Sequence, residues 1–475
     1  MTARTERALV APGVLALASA MVALAPDAKA AEPDVAKVEE AQPTKREQPV
    51  SPAPEPESRR LPDYDGRPDH PPGPGALVWT GRVVFFPFYV VSEYVLRRPL
   101  GWAVVAAERA NLATVLLDLF TFGEQRQAGL FPTALLDFGF KPSVGLYFFW
   151  NDVGFRGHTV RANAATWGKD WLRLALAERF ELSGGMRIGW GFEAWDRPDW
   201  LFYGLGPDSD EDAAARYARL DLSGALRLEI PLPRSSHFGA YAAVRAADFS
   251  DSRCCDDPSI TARIENGTYA SPPGFRSGYT LLRHGFELAL DSRLPRPYPG
   301  TGVRAVVRAE QNLRLAGDVA DEWLRYGGTL GGFIDLTGRN RVIGLSVTTL
   351  LSENLDDEAA IPFTEQVVLG GNAPLRGFLE GRLVDQSALV AKLEYTWPVW
   401  IMLDGALSAE AGNVFGEHLD GLEGDRMRLS FGLGVRAHGR RDQPFEALLG
   451  FGTSQLRDGA RPESLRLVFG TTNGF

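Results

Sequence analysis

From about residue 126 to the C-terminus the chain repeats one pattern, in which polar and apolar residues alternate singly over stretches of 10–14 residues. In "ARLDLSGALRLEI" (218–230), Leu220, Leu222, Leu226 and Leu228 share one face, and Arg219, Asp221, Arg227 and Glu229 share the other. "HGFELALD" (284–291), "VRAVVRAEQN" (303–312) and "RMRLSFGLGVRAH" (426–438) read the same way. A period of two puts alternate side chains on opposite faces of a strand. A tilted strand needs about 9–11 residues to cross a bilayer. Sixteen such segments are read here, near 127–138, 142–153, 157–168, 170–182, 186–196, 214–230, 237–250, 278–292, 302–313, 323–336, 341–352, 386–399, 401–414, 426–438, 443–453 and 463–475. One charged and one apolar face, an even count and no run of about 18 apolar residues predict an all-β fold, a 16-stranded transmembrane antiparallel β-barrel.

The connections sort by parity. If the first strand rises outward, the even-to-odd turns are short, as in 183–185, 231–237, 294–300 and 337–340. The odd-to-even loops include the long ones, 197–213, 251–277 and 353–385. Short turns on one side and long loops on the other are a bacterial barrel pattern. A secreted sandwich has no need of sixteen long strands with one charged and one apolar face.

Upstream, residues 1–30 read as a signal peptide. Arg4 and Arg7 precede an apolar stretch (8–25), and "AKAAEP" offers a cleavage site after Ala30. Residues 31–78 are rich in Pro, Glu, Asp and Arg and predict a disordered linker. Residues 79–125 are dense in apolar and aromatic residues with interleaved arginines, and predict short amphipathic helices broken at Pro87 and Pro99, seated at the membrane interface or the barrel mouth. The expected location is therefore the outer membrane of a Gram-negative cell, with outer-membrane lipid as the first partner.

Several function classes find no support. A net charge of -10 argues against a nucleic-acid partner. Cys254 and Cys255 are adjacent and are read as two loop thiols; they form neither a disulfide framework nor a metal pattern. The six histidines are scattered without ligand spacing. "GTS" (452–454) lacks a nucleophile-elbow context, so no catalytic residue is assigned. "GLGPDSDEDAAAR" (204–216) is acid-rich, but its spacing is not a calcium loop. No cofactor or metal site is expected.

"LGGNAPLRGFLEGR" (369–382) looks at first like a glycine-rich surface loop, except that Arg376 sits among apolar neighbours. "LRGF" (375–378) resembles the arginine motif in the sixth outer loop of the BamA/TamA-type outer-membrane barrel superfamily. "LEYTWP" (393–398) and "SAEAGNVF" (408–415) resemble, in order, motifs of the strands that follow that loop. "FYGLGPDSD" (202–210) resembles a loop opening common in such barrels, and Phe475 resembles their terminal aromatic signal. The resemblance covers about residues 126–475. It implies that the sixth loop folds back into the lumen, with Arg376, Gly377 and Phe378 at its tip and Glu394 and Glu410 as the wall acids facing Arg376. Strand parity independently places Glu394 and Glu410 on the lumen face.

The chain departs from the family pattern in two places. The second wall acid is Glu410 after Ser408, where the family usually has an aspartate after an aromatic. Residues 31–78 are also too short for the family's periplasmic repeat (POTRA) domains, so a member lacking them is expected. The resemblance implies help in inserting or translocating proteins or lipids, with outer-membrane protein clients or periplasmic factors as partners. A passive pore or structural barrel is the alternative.

Overall fold

The computed structural model describes residues 118–471, apart from positions 124, 253, 294–299, 337, 339, 357, 401–402 and 438–444; of the earlier chain it describes only Tyr94 and Trp102. The expected signal peptide, linker, most of the helical segment and Phe475 lie outside the described residues. Sixteen strands form one antiparallel barrel: β1 (Ala128–Asp137), β2 (Ser143–Asn151), β3 (His158–Thr166), β4 (Leu172–Glu181), β5 (Arg187–Phe202), β6 (Ala215–Pro231), β7 (His237–Asp251), β8 (Tyr279–Asp291), β9 (Gly302–Gly317), β10 (Glu322–Asp335), β11 (Val342–Asn354), β12 (Ser387–Trp400), β13 (Leu403–Phe415), β14 (Arg428–Ala437), β15 (Phe445–Gln455) and β16 (Pro462–Thr471). Each strand pairs with its neighbours in sequence, and β16 pairs with β1 to close the barrel. Among the described residues no helix is long and apolar enough to cross a membrane.

The alternation read from the sequence is the alternation of faces. Leu172, Leu174 and Leu176 on β4, Leu345 and Val347 on β11, and Leu465, Leu467 and Phe469 on β16 are exposed around the outside. Their sequence neighbours Arg173, Arg466 and Val468 are buried inside. Lipid in place of water makes that outward apolar surface stable, and closure brings the first and last strands together.

Among the described residues the ladders are long except at closure. β12 and β13 pair from Ser387–Phe415 to Trp400–Leu403. Between β16 and β1 the ladder pairs among the described residues are Val468–Asp137, Phe469–Leu136 and Gly470–Leu135, and the Phe138 amide donates to the Leu467 carbonyl at 2.8 Å. Gly470 has φ near 140°, and a Cβ there would lie 2.1 Å from the Ala134 carbonyl oxygen, so this strand crossing needs glycine.

The long loops gather at one rim. These are the third (203–214), fourth (252–278) and sixth (355–386), here L3, L4 and L6; L4 and L6 share with the strand ends an apolar core that includes Phe202, Ile260, Phe275, Trp323, Ile361 and Phe363. Within L6, Val367–Leu369 and Leu383–Asp385 form a short hairpin that carries "LRGF" at its tip.

Two local readings change. Thr121–Phe122, expected within the helical segment, are extended and pair with Gly129 and Ala128; Gly123, with φ 86°, starts the turn into β1. Cys254 and Cys255 are joined to each other in L4 rather than being two free thiols.

Candidate functional site

The L6 hairpin descends against the inner faces of β13, β14 and β15. Leu375 adopts a positive φ of 65° and turns the chain, so that the next two backbone amides point at the wall. The Arg376 amide donates to Glu410 Oε2 at 2.9 Å, and the Gly377 amide donates to Ser430 Oγ at 2.9 Å. Ser430 Oγ in turn donates to the same Glu410 oxygen at 3.3 Å. A Cβ on Gly377 would lie 2.3 Å from the Phe451 carbonyl oxygen, so the tip meets β15 backbone to backbone. Phe378 is fully buried, its ring lying over Gly452. Leu369, Leu375 and Leu383 pack in the same apolar cluster as Phe378.

The guanidinium of Arg376 pairs with Glu446 on β15, Nη2 to Oε2 at 2.6 Å. This corrects the expectation that Glu394 and Glu410 would be its ion partners. Glu410 instead accepts the Arg376 backbone amide, and Lys392 Nζ stands 3.8 Å from its other oxygen. Glu394 is held by Lys392 at 2.6 Å and Arg436 at 2.8 Å. Arg376, Glu394, Glu446 and these two cations line a cavity of about 20 Å³, room for about one water. Burial disfavours the Arg376 charge, but Glu446, with Glu410 and Glu394 nearby, raises its pKa above the ordinary guanidinium value. The reason for the changed partner is geometric. With the tip pressed on β15, the side chain reaches the inward acid of that strand, the fourth after the loop.

A second contact was not foreseen. Glu365, eleven residues before Arg376, is fully buried on the opposite flank of L6. Arg245 of β7 and Arg283 of β8 both donate to its carboxylate, and Arg325 of β10 stands 3.7 Å away. Tyr279 Oη donates to it at 2.7 Å. Asp221 shares Arg245, at 3.1 Å from Nε, and Asn312 takes Arg283 Nε at 2.9 Å. Burial raises the carboxyl pKa, but the three arginines outweigh it and hold Glu365 down at about 2.

At the rim, L3 and L6 are cross-tied. Arg382 donates to Ser209 Oγ at 2.7 Å and to its carbonyl at 3.0 Å, and also pairs with Glu463. Gln455 Nε2 bonds the Pro207 carbonyl at 2.6 Å. The acid-rich stretch 204–216 is thus spent on structural contacts; Asp208, for example, takes Arg457 at 2.6 Å. Among the described residues no group of His, Cys, Asp and Glu is placed to hold a metal ion.

The Omp85 superfamily domain model matches residues 203–439, from L3 through β14 and across the whole of L6. The chain belongs to the Omp85 superfamily. Among solved structures this Omp85 chain is similar to BamA from Haemophilus ducreyi lacking POTRA domains 1–3, at 14% identity over 73% of this chain and 70% of that one, with a TM-score of 0.50. It also matches CdiB from Acinetobacter baumannii at 12% identity, over 73% of this chain and 59% of that one, with a TM-score of 0.46. No curated protein sequence matches it. Among the described residues of this Omp85 barrel no POTRA-like region is present.

Proposed function

We propose that this outer-membrane Omp85 barrel assists the insertion or translocation of proteins or lipids, with L6 locked in the lumen through Arg376, Gly377, Phe378 and their wall partners. The observation that carries the reading is the pairing of two features: a seam between β1 and β16 with three ladder pairs among the described residues, and a lumenal loop docked beside it. A short ladder costs little to part, and a loop filling the lumen leaves little room for a passive channel. Under the same reading, residues 1–30 direct export, 31–78 form a linker, 79–125 lie at the membrane interface and Phe475 serves as the C-terminal assembly signal. Outer-membrane lipid surrounds the barrel, and outer-membrane protein clients or periplasmic factors are its further partners.

The test is assembly of a small unfolded outer-membrane barrel into liposomes, read by heat-modified gel mobility. Liposomes carrying the wild-type chain should fold this client faster than empty ones, and Arg376→Ala should slow it. Equal rates in wild-type and empty liposomes would refute the proposal. Steady single-channel conductance from the wild type without faster assembly would support the passive pore.

A further inference from the structure

Arg466 sits on the inner face of β16 between the exposed Leu465 and Leu467, and is only 1% exposed itself. Its guanidinium points two ways. Nε and Nη2 grip the Asp137 carboxylate at 3.1 and 2.8 Å, and Asp137 is the last residue of β1, across the seam. Nη1 donates to the carbonyl of Gly371 and, at 3.4 Å, to that of Arg376, while Nη2 reaches Asn372 Oδ1 at 3.5 Å. One planar fork therefore joins both edges of the seam to both ends of the L6 tip. The geometry points to Arg466 as a positioning residue that couples L6 docking to seam closure.

The coupling follows from satisfying one buried charge. If β1 parts from β16, Asp137 leaves and the guanidinium is left with neutral carbonyls alone. If L6 withdraws, the same group loses the acceptors that fix its plane against Asp137. With either side gone the rigid fork is no longer held in the plane that serves the other and can turn toward water, so each event favours the other. Such coupling is reciprocal: whatever seam opening does to loop docking, loop release must do to the seam. Lysine could serve one side or the other, because a single ammonium lacks the fork. This inference goes beyond the proposed function, and its test reads no client assembly, so the two can fail separately.

The test uses the full chain in liposomes with Cys254→Ser and Cys255→Ser. Spin labels at Ala134→Cys on β1 and Leu467→Cys on β16 report seam width, and hydrogen exchange of residues 370–380 reports loop docking. Asp137→Asn removes the seam partner without touching L6, and should speed loop exchange about tenfold. Glu446→Gln removes the tip's ion partner without touching the seam, and should broaden the inter-label distances. Arg466→Lys keeps the charge and should move both readouts. Asp137→Asn widening the seam while loop exchange stays at the wild-type rate would overturn the inference. So would Glu446→Gln freeing the loop while seam distances stay fixed. If one variant fails to fold, judged by heat-modified mobility, the other decides.

Discussion

At residue 365 the sixth loop offers a carboxylate to arginines; at residue 376 it offers an arginine to carboxylates. The two contacts sit on different walls, β7–β10 and β13–β15, and hold the loop by different means. Glu365 is fully buried and is held mainly through its side chain, by three guanidinium groups and a phenol. The Arg376 side chain is 21% exposed with one ion pair, yet two backbone amides and a glycine pressed on β15 fix the tip around it. The first anchor is electrostatic and the second is largely steric, so they should fail under different insults.

The largest expected effect is at the charged anchor. Glu365→Gln keeps the shape but leaves Arg245, Arg283 and Arg325 without their common counter-charge. Breaking a buried pair this way costs about 3–5 kcal/mol. The temperature at which the barrel loses its heat-modified mobility should fall clearly, and an unchanged temperature would break the comparison. Next comes the tip. Gly377→Ala inserts a Cβ against the β15 backbone, which cannot yield as a flexible side chain would, at a cost of about 1–3 kcal/mol. That loss should match or exceed the loss from Arg376→Ala, which removes one ion pair and leaves both amides in place. A much larger loss from Arg376→Ala would mean that charge governs the tip as well.

Acid should separate the anchors without mutation. Glu365 stands at about 2 against an ordinary 4.5. A carboxylate whose pKa is depressed by folding contributes stability above its unfolded value, and that stability is lost as pH falls through the folded one. Between pH of about 4.5 and about 2 the charged anchor should weaken. Fluorescence of Trp323, buried in the cluster that includes Tyr279, should report the change. Glu365→Gln should remove the transition, and a transition that persists in that variant would assign it to another group. The smallest effect separates two wall acids: Glu446→Gln should raise exchange of residues 370–380 more than Glu394→Gln, since Glu394 already has Lys392 and Arg436.

Alternation was enough to read the barrel, because a strand between lipid and lumen has little freedom in which residues face where. Parity also put Glu394 and Glu410 on the inner face. It could not choose among inward acids, however, since that depends on where a folded loop comes to rest in three dimensions. Glu446 carries the same inward parity in "FEALLGFG" but lies on the fourth strand after the loop. Glu365 had a weaker signal: a lone acid in the apolar stretch "IPFTEQVV", facing strands with arginines at inward positions 245, 283 and 325. Arg466 left no local trace, because its role depends on the closure of residue 137 against residue 466.

The central claim is that the L6 tip rests on β15, with Arg376 paired to Glu446. A double-mutant cycle tests it most directly, using Arg376→Ala with Glu446→Ala and, in parallel, Arg376→Ala with Glu394→Ala. Unfolding free energies would come from reversible urea titration in vesicles. The structure predicts a coupling of about 0.5–3 kcal/mol for the pair with Glu446 and almost none for the pair with Glu394. Coupling to Glu394 with none to Glu446 would contradict it.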